Sequence, residues 1–422
     1  MNQPIPSLAT HPAGGRVPER LAALGAGLLV SLPLAMWIAN RSAPLVLALA
    51  AGAFCAAVVA GEGWRPLVRR AGLLLRSPIG LALSGFLLWS LATIAWSHRP
   101  LPSLAAWGEF ALPLACGAAI AASGRFRPSP ALGRGLAIAV AAAALLMMAE
   151  LATGLALRRA LDIGRQVTYV FNRPVLTCLV LAPVAFAALF GHRSSQRWNG
   201  ALAVLLVLAV AWACLGSESG AAGLGVLVMA VVAVLARLAP RLALAAVALG
   251  FVATMVLAPV VGRLGDALLP PALHERLANS HSRDRVDIWL SFGEATLARP
   301  IRGSGFGTSP TLDRHPVAAE VSPPRRALLA VGHPHNAPLQ AWTETGAVGV
   351  ALLAFAGLAL LLRLKRLAAA DLAPRLALFA SAFAVAAVAH GAWQGWWIAA
   401  LTMAALWLYR LPVGSDADDR GA

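Results

Sequence analysis

The stretch GHPHNAPLQAWTETGAVGVALLAF, residues 332–355, passes from polar to wholly apolar within a few turns of chain. Asn336 is a good helix N-cap and Pro338 is tolerated in a first helical turn, so a helix is expected to start here. From that start Asn336, Gln340 and Glu344 fall at i, i+4 and i+8 and make one polar stripe on an otherwise apolar helix. The apolar run continues to about residue 362, long enough for a bilayer core that asks for about 20 such residues. Two histidines, His333 and His335, stand at its entry.

The whole chain has the same character. Its 422 residues are 59% hydrophobic and 12% charged, with a mean hydropathy of +0.74. A soluble protein of this length could not hide so much apolar surface. The expected fold is an all-α polytopic membrane protein, because backbone groups in lipid must bond within their own segment. Twelve spans are expected, near 21–39, 44–60, 79–96, 104–122, 135–153, 172–190, 200–215, 220–236, 242–261, 338–362, 376–392 and 395–409. Residues 1–20 form an N-terminal tail without a signal-peptide cleavage pattern, and 410–422 a C-terminal one. The run 21–39 is long enough to remain as a signal anchor. Cys55, Cys116, Cys178 and Cys214 all lie in apolar runs and read as small buried hydrophobes, not as a disulfide or metal framework.

The net charge of +16 would suggest a nucleic-acid partner in a soluble protein. Here its distribution sets orientation instead, and no nucleic acid is expected. One side of the twelve-span layout, with both termini, holds 19 of the 34 Lys and Arg; the short connections of the other side hold six. The positive-inside rule then places both termini in the cytoplasm and the loop 262–337 outside, in the periplasm of a Gram-negative cell. That loop carries five of the nine His and seven acids, and is too long to be a plain connector. Within it RDRVDIWLSFGEATLARP, 283–300, reads as a short amphipathic helix with Val286, Trp289, Leu290 and Leu297 on its apolar face. Asp284 suits its start and Pro300 its end. RGSGFGTSP follows as a glycine-rich turn, a weak match to a phosphate cradle.

Several side chains carry chemistry. His335, at the outer membrane boundary, is placed to take a proton from a hydroxyl, since an imidazole titrates near working pH; the alternative is an ordinary polar loop entering a membrane helix. Arg173, in YVFNRPVLTC, and Arg285, at the start of the loop helix, have the fork geometry that matches phosphate. Their alternatives are snorkelling and a solvated helix face. Arg283 is a further candidate for the substrate. Glu109 and Glu150 lie inside spans and should face the interior or water. No P-loop is present, and no Asp-x-Asp pair in the outer loops indicates a metal-clamped diphosphate. His333-Pro-His335 lacks further ligands at zinc spacing, so neither metal nor cofactor is expected.

Taken together, these motifs resemble the O-antigen ligase and polymerase superfamily. In that family a histidine is followed by ten residues and a glycine, the spacing of His335 and Gly346, and ETGAVG is similar to its entry into the next membrane helix. Arg285, Trp289, Pro300, Gly303 and Gly305 resemble its loop block, and FNRPVLTC its mid-chain span start, with Arg173 in the place of a functional arginine. Two positions depart from the pattern: Trp289 stands where Leu is common, and SESG, with Gly220 after Ser219, replaces Ser-Arg. The resemblance implies a GT-C-like membrane enzyme that moves glycan from an undecaprenyl-diphosphate lipid to a lipid A-core hydroxyl, with inversion and without a metal. It implies Arg173 and Arg285 on the diphosphate and His335 on the acceptor. Asn336, Gln340 and Glu344 would support His335 or hold sugar hydroxyls. Polymerase and protein O-oligosaccharyltransferase activities fit the same motifs. A transporter fits the span count, but carriers show internal repeats and mid-membrane polar breaks, and here the polar groups gather at one face.

Overall fold

The computed structural model describes residues 16–191, 197–270, 272, 275 and 282–412. Among them every regular element is a helix. In chain order these are α1 (Arg16–Ile38), α2 (Ala43–Glu62), α3 (Arg65–Leu75), α4 (Pro78–Thr93), α5 (Pro100–Ser123), α6 (Pro130–Ala152), α7 (Ala156–Ala160), α8 (Asn172–Phe190), α9 (Arg197–Gly216), α10 (Gly220–Leu238), α11 (Pro240–Leu257), α12 (Val261–Leu268), α13 (Ser282–Ala298), α14 (Pro323–Arg326), α15 (Ala337–Leu364), α16 (Ala369–Ala386) and α17 (Gly395–Arg410). Among the described residues, eleven helical segments are long and apolar enough to cross a membrane. The chain is a multi-pass membrane protein.

The helices begin where short-range chemistry says they should. Ser77, Ser129, Ser219 and Asn336 each turn a side-chain oxygen onto a backbone N–H in the first turn of α4, α6, α10 and α15. Packing follows from composition: α8, the most enclosed span, lies against α1, α6, α9, α10, α16 and α17. The second cluster joins α4, α5, α10, α11, α15 and α16 around Phe86, Phe110 and Trp393.

Three expectations are corrected. The eleventh span was placed at 376–392; the helix runs Ala369–Ala386 and residues 387–394 leave it as an irregular segment. That segment is mostly apolar in sequence, so periodicity continues the helix through it, but the Ala389 carbonyl is held by His335 and Ala392 N by Gln340 of α15. Helix α17 stands where the twelfth span is expected, at 395–409, but is only 16 residues long. At 1.5 Å per residue it reaches roughly 24 Å, short of a bilayer core of about 30 Å, and it falls outside the eleven segments long enough to cross. The first helix already begins at Arg16, inside the expected tail, because nothing in VPER stops it; residues 1–15 and 413–422 of the two tails lie outside the described residues.

The loop between α11 and α15 has a small core of its own. Ile288, Phe292 and Ala295 of α13 meet Leu312, Val317, Val321 and Leu329, with Leu339 of α15 beneath. The expected loop helix is therefore present, but its buried face differs. Val286 and Leu290 are buried as expected, whereas Leu297 is 42% exposed and Phe292 takes its place. The α12 and α13 backbones touch because Gly262 leaves space: a Cβ there would sit 2.7 Å from the Trp289 carbonyl carbon.

Candidate active site

The site is built around a break in α15. Gly346 has φ +64° and ψ −169°, a conformation open essentially to glycine alone, and it splits the helix into two rods. A break strands backbone groups, and each one found here has a partner. The carbonyls of Thr343 and Glu344 accept from Ser304 N and Gly305 N at 2.7 and 2.9 Å. The Thr345 carbonyl accepts from Trp89 Nε1 at 2.8 Å, and Ala347 N donates to the Pro300 carbonyl at 2.8 Å. The glycine-rich turn 303–307 is thus a plug for the helix break. Its Phe306 sinks into the aromatic cluster of Phe110 and Trp393.

Glu344 ties this plug to the rest. Oε2 accepts from Gly307 N at 2.6 Å and from Trp393 Nε1 at 2.7 Å; Oε1 accepts from Ser309 N at 3.2 Å and from Gln340 Nε2 at 3.0 Å. The turn therefore cradles the carboxylate of Glu344, not a phosphate. A carboxylate has about four acceptor positions, so none is left over for a sugar, and the side chain is fully buried. Gln340 is committed in the same way: its Oε1 accepts from Ala392 N at 2.8 Å. Asn336 caps α15 through Leu339 N at 2.8 Å. The polar stripe read in the sequence is real, and what it holds is the irregular segment 387–394. Glu344→Gln would turn one oxygen into an NH2 facing two N–H donors. Two buried bonds lost at about 1–3 kcal/mol each predict a loss of roughly 2–6 kcal/mol, seen as a lower melting temperature of the solubilised chain.

His335 sits at the top of this assembly. Its φ is +53°, the left-handed region that costs a residue with a bulky side chain. Three contacts hold it there: His335 N donates to His333 Nδ1 at 3.2 Å, Trp289 Nε1 donates to the preceding Pro334 carbonyl at 2.9 Å, and His335 Nδ1 lies 2.6 Å from the Ala389 carbonyl. A carbonyl only accepts, so Nδ1 carries the proton and Nε2 keeps its lone pair. Burial, with the charge of Arg285 adding to it, holds the His335 imidazole below the usual histidine range; the Ala389 carbonyl pulls the other way and does not win. His333 and His390 are pushed down to about 4, in both cases first by burial. All three rings are therefore neutral at neutral pH.

Two cations flank the histidines. Arg285, half-buried on α13, is felt by His335, and Arg173, in the first turn of α8, is felt by His390. The Arg173 guanidinium lies over the Trp396 ring, 5.9 Å from its centre. Arg41 and Arg165 add like charge near Arg173. Neither the Arg173 nor the Arg285 guanidinium has an ion pair or a hydrogen bond among the described residues. Cations drawn together and left without an acid make a place for an anion.

The remaining candidates lie elsewhere. Arg283 bridges Asp266 at 3.4 Å and Asp287 at 3.6 Å on the exposed side of α13, so its fork is already taken by carboxylates. Glu109, expected to face the interior or water, is exposed on α5, whose backbone passes close to Gly395 at the start of α17. Glu150 is buried near Arg158, whose guanidinium binds the Trp37 carbonyl and stacks on Phe171 at 4.7 Å. Glu218 accepts from Thr168 Oγ1 at the outer turn. Sequence reading missed His390, Trp393 and the Ala389 carbonyl, all in the irregular segment; the only signal was HGAWQG, two glycines and two polar residues within a nominal span.

Residues 203–354 match the family described as O-antigen ligase. Over that stretch the chain is similar to the O-antigen ligase family. The matched stretch includes Arg285, His335, Glu344 and Gly346; Arg173 and the 387–394 segment lie outside it. Two curated relatives bear the name "Putative polysaccharide ligase". The one from Rickettsia prowazekii is 25% identical over 235 residues, 54% of this chain and 56% of its own length. The one from Rickettsia felis is 24% identical over 317 residues, 74% of this chain and 75% of its own. The chain thus spans little more than half the length of the first of these relatives.

Proposed function

We propose that this protein transfers a glycan from an undecaprenyl-diphosphate lipid to a hydroxyl of a lipid A-core acceptor, at the outer face of the bacterial inner membrane. The observation that carries the reading is a neutral His335 whose Nδ1 is held by the Ala389 carbonyl, with Arg285 acting on it and Arg173 on the neighbouring His390, neither guanidinium having an ion pair among the described residues. His335 Nε2 takes the proton of the acceptor hydroxyl, whose oxygen attacks the anomeric carbon. The bond from that carbon to the diphosphate oxygen breaks, and the diphosphate leaves with the electron pair. Arg173 and Arg285 bind the diphosphate and stabilise the charge that builds on it; fixed cations in a site of low dielectric suit this task. One displacement inverts the anomeric centre. Asn336, Gln340 and Glu344 support His335 by fixing its helix and the Ala389 carbonyl. Both substrates are lipids of the outer leaflet, so a site at the bilayer surface is where they can meet. The excess of arginine at the other end of the helices supports cytoplasmic termini.

The deciding experiment is a gel of lipopolysaccharide from a deletion strain with and without the gene. Core without O-antigen, together with long lipid-linked polymer, supports the ligase. Core carrying one repeat unit indicates the polymerase, and an unchanged ladder overturns both.

The acid limb of the rate profile tests the base. His335 acts only when neutral, so activity should fall as the pH drops through its pKa, at a pH below the ordinary 6.5. The charge of Arg285 lowers that pKa by opposing the imidazolium. Arg285→Gln should therefore move the acid limb of kcat/KM upward as well as slow the reaction. Arg285→Lys keeps the charge, so the limb should stay in place while the lost fork lowers the rate. A limb that does not move in the Gln variant argues against His335 as the base.

A further inference from the structure

At the end of the bundle opposite His335 lies a cavity of about 880 Å3. The N-terminal turns of α1 and the C-terminal ends of α2, α5, α15 and α17 surround it, with α3 along one side. Five arginines line it, Arg70, Arg125, Arg127, Arg363 and Arg410, against two acids, Glu19 and Glu62. The wall is built, not a chance gathering of surface charge. Glu62 accepts from Arg70 Nη2 at 3.0 Å and from Arg125 Nη2 at 2.7 Å, and Arg70 Nη1 donates to the Ser123 carbonyl at 2.8 Å. Arg410 donates to the Ala121 carbonyl. Gly61 makes room for this, since a Cβ there would meet the Arg125 guanidinium at 2.9 Å. Arg127 and Arg363 are exposed and have no ion pair or hydrogen bond among the described residues.

The same cavity has an apolar side. Leu73 and Leu74 of α3 line it beside Arg70. Helix α3 has no buried residue, and it exposes Trp64, Val68, Leu73 and Leu75 while carrying Arg65, Arg69 and Arg70. A short helix that carries arginines and leaves apolar side chains exposed, as α3 does at the edge of α5, suits the bilayer interface.

We infer that this cavity binds the headgroup of one anionic phospholipid from the leaflet opposite the candidate active site, with the phosphate diester between Arg127 and Arg363 and an acyl chain along Leu73 and Leu74. A free soluble anion would use the arginines but not the leucines; an amphiphile uses both. The inference is independent of the glycan-transfer reading.

The test is native mass spectrometry of the full chain in neutral detergent, with equal phosphatidylglycerol and phosphatidylethanolamine added. The wild type should retain one phosphatidylglycerol through stripping. Arg127→Ala with Arg363→Ala should reduce that occupancy at least about tenfold, since each interfacial arginine is worth roughly fivefold for an anionic lipid. Neither residue braces the fold, so both variants should remain monodisperse. Arg237→Ala with Arg241→Ala removes the same charge from the same end but outside the cavity, and should leave retention unchanged. Equal loss in both pairs would mean a diffuse surface effect and overturn the site. So would equal retention of the two lipids. Displacement of the lipid by millimolar inorganic phosphate would overturn the lipid as occupant.

Discussion

His335→Ala is expected to lower glycan transfer by at least about 100-fold while the protein stays inserted at wild-type levels. A positioned general base contributes about 10²–10⁴ in rate, and Ala leaves no group to take the acceptor proton. The fold should survive, because Gln340 and Glu344 still hold Ala392 and Trp393 after the bond to the Ala389 carbonyl is gone. The backbone at φ +53° needs a control. His335→Asn supplies it, since Asn tolerates the left-handed region and cannot act as a base. If the ring serves only to shape the loop, Asn should recover much of the activity that Ala loses. If the ring is the base, both variants should be equally inactive. The readout is the O-antigen ladder of a deletion strain complemented with each variant, beside a membrane blot for protein level.

The fold was legible wherever one physical rule dominated. Bilayer burial demands long apolar helices, and the spans up to α11 fall within a few residues of those read by eye. Asn336 marks the start of α15 in the sequence, and its side chain accepts from Leu339 N, whereas Asp284 lies inside the first turn of a helix that already starts at Ser282. The rule failed where an apolar segment is buried but not helical. Nothing in the composition of residues 387–394 says that their backbone groups will bond to Gln340 and His335, because that depends on a neighbour about 50 positions away. Span eleven was displaced for that reason, and the Ala389 carbonyl, which sets the tautomer of His335, was invisible.

The candidate site divides along the same line. His335, Arg173 and Arg285 stand out in the sequence because few residue types do their chemistry and each lies at the start of a helix or just before one. The roles of Gln340 and Glu344 were left open between supporting the histidine and holding sugar. Only the bonding partners decide, and these come from three segments. Arg283 and Arg285 are two residues apart and both are candidates in the sequence, yet one faces Asp266 and the other is felt by His335. Leu297 failed as a core residue because the loop packs on α13 from the side of Phe292.

Gly346→Ala should then be the most damaging small substitution in the chain. At φ +64° and ψ −169° an L-residue is strained by itself, at about 1–3 kcal/mol. The added Cβ would also overlap the Ile301 carbonyl oxygen and stand 2.7 Å from Arg302 N, so the glycine turn must move away. Moving it releases Ser304 N and Gly305 N from α15, and Gly307 N and Ser309 N from Glu344. Gly303 cannot yield, since its own Cβ position lies 2.7 Å from Gly346 N. Four buried bonds fail together with the strain, which predicts a loss of several kcal/mol, comparable to the whole stability margin of many domains. The expected result is little or no protein in the membrane, or chain cut by protease between α13 and α15. Gly250→Ala is the comparison, a glycine inside α11 where the added Cβ has nothing within 4 Å; it should be milder. Normal accumulation and normal transfer in Gly346→Ala would show that the helix runs straight through this position, and the account of Glu344 as the clasp of the site would fall with it.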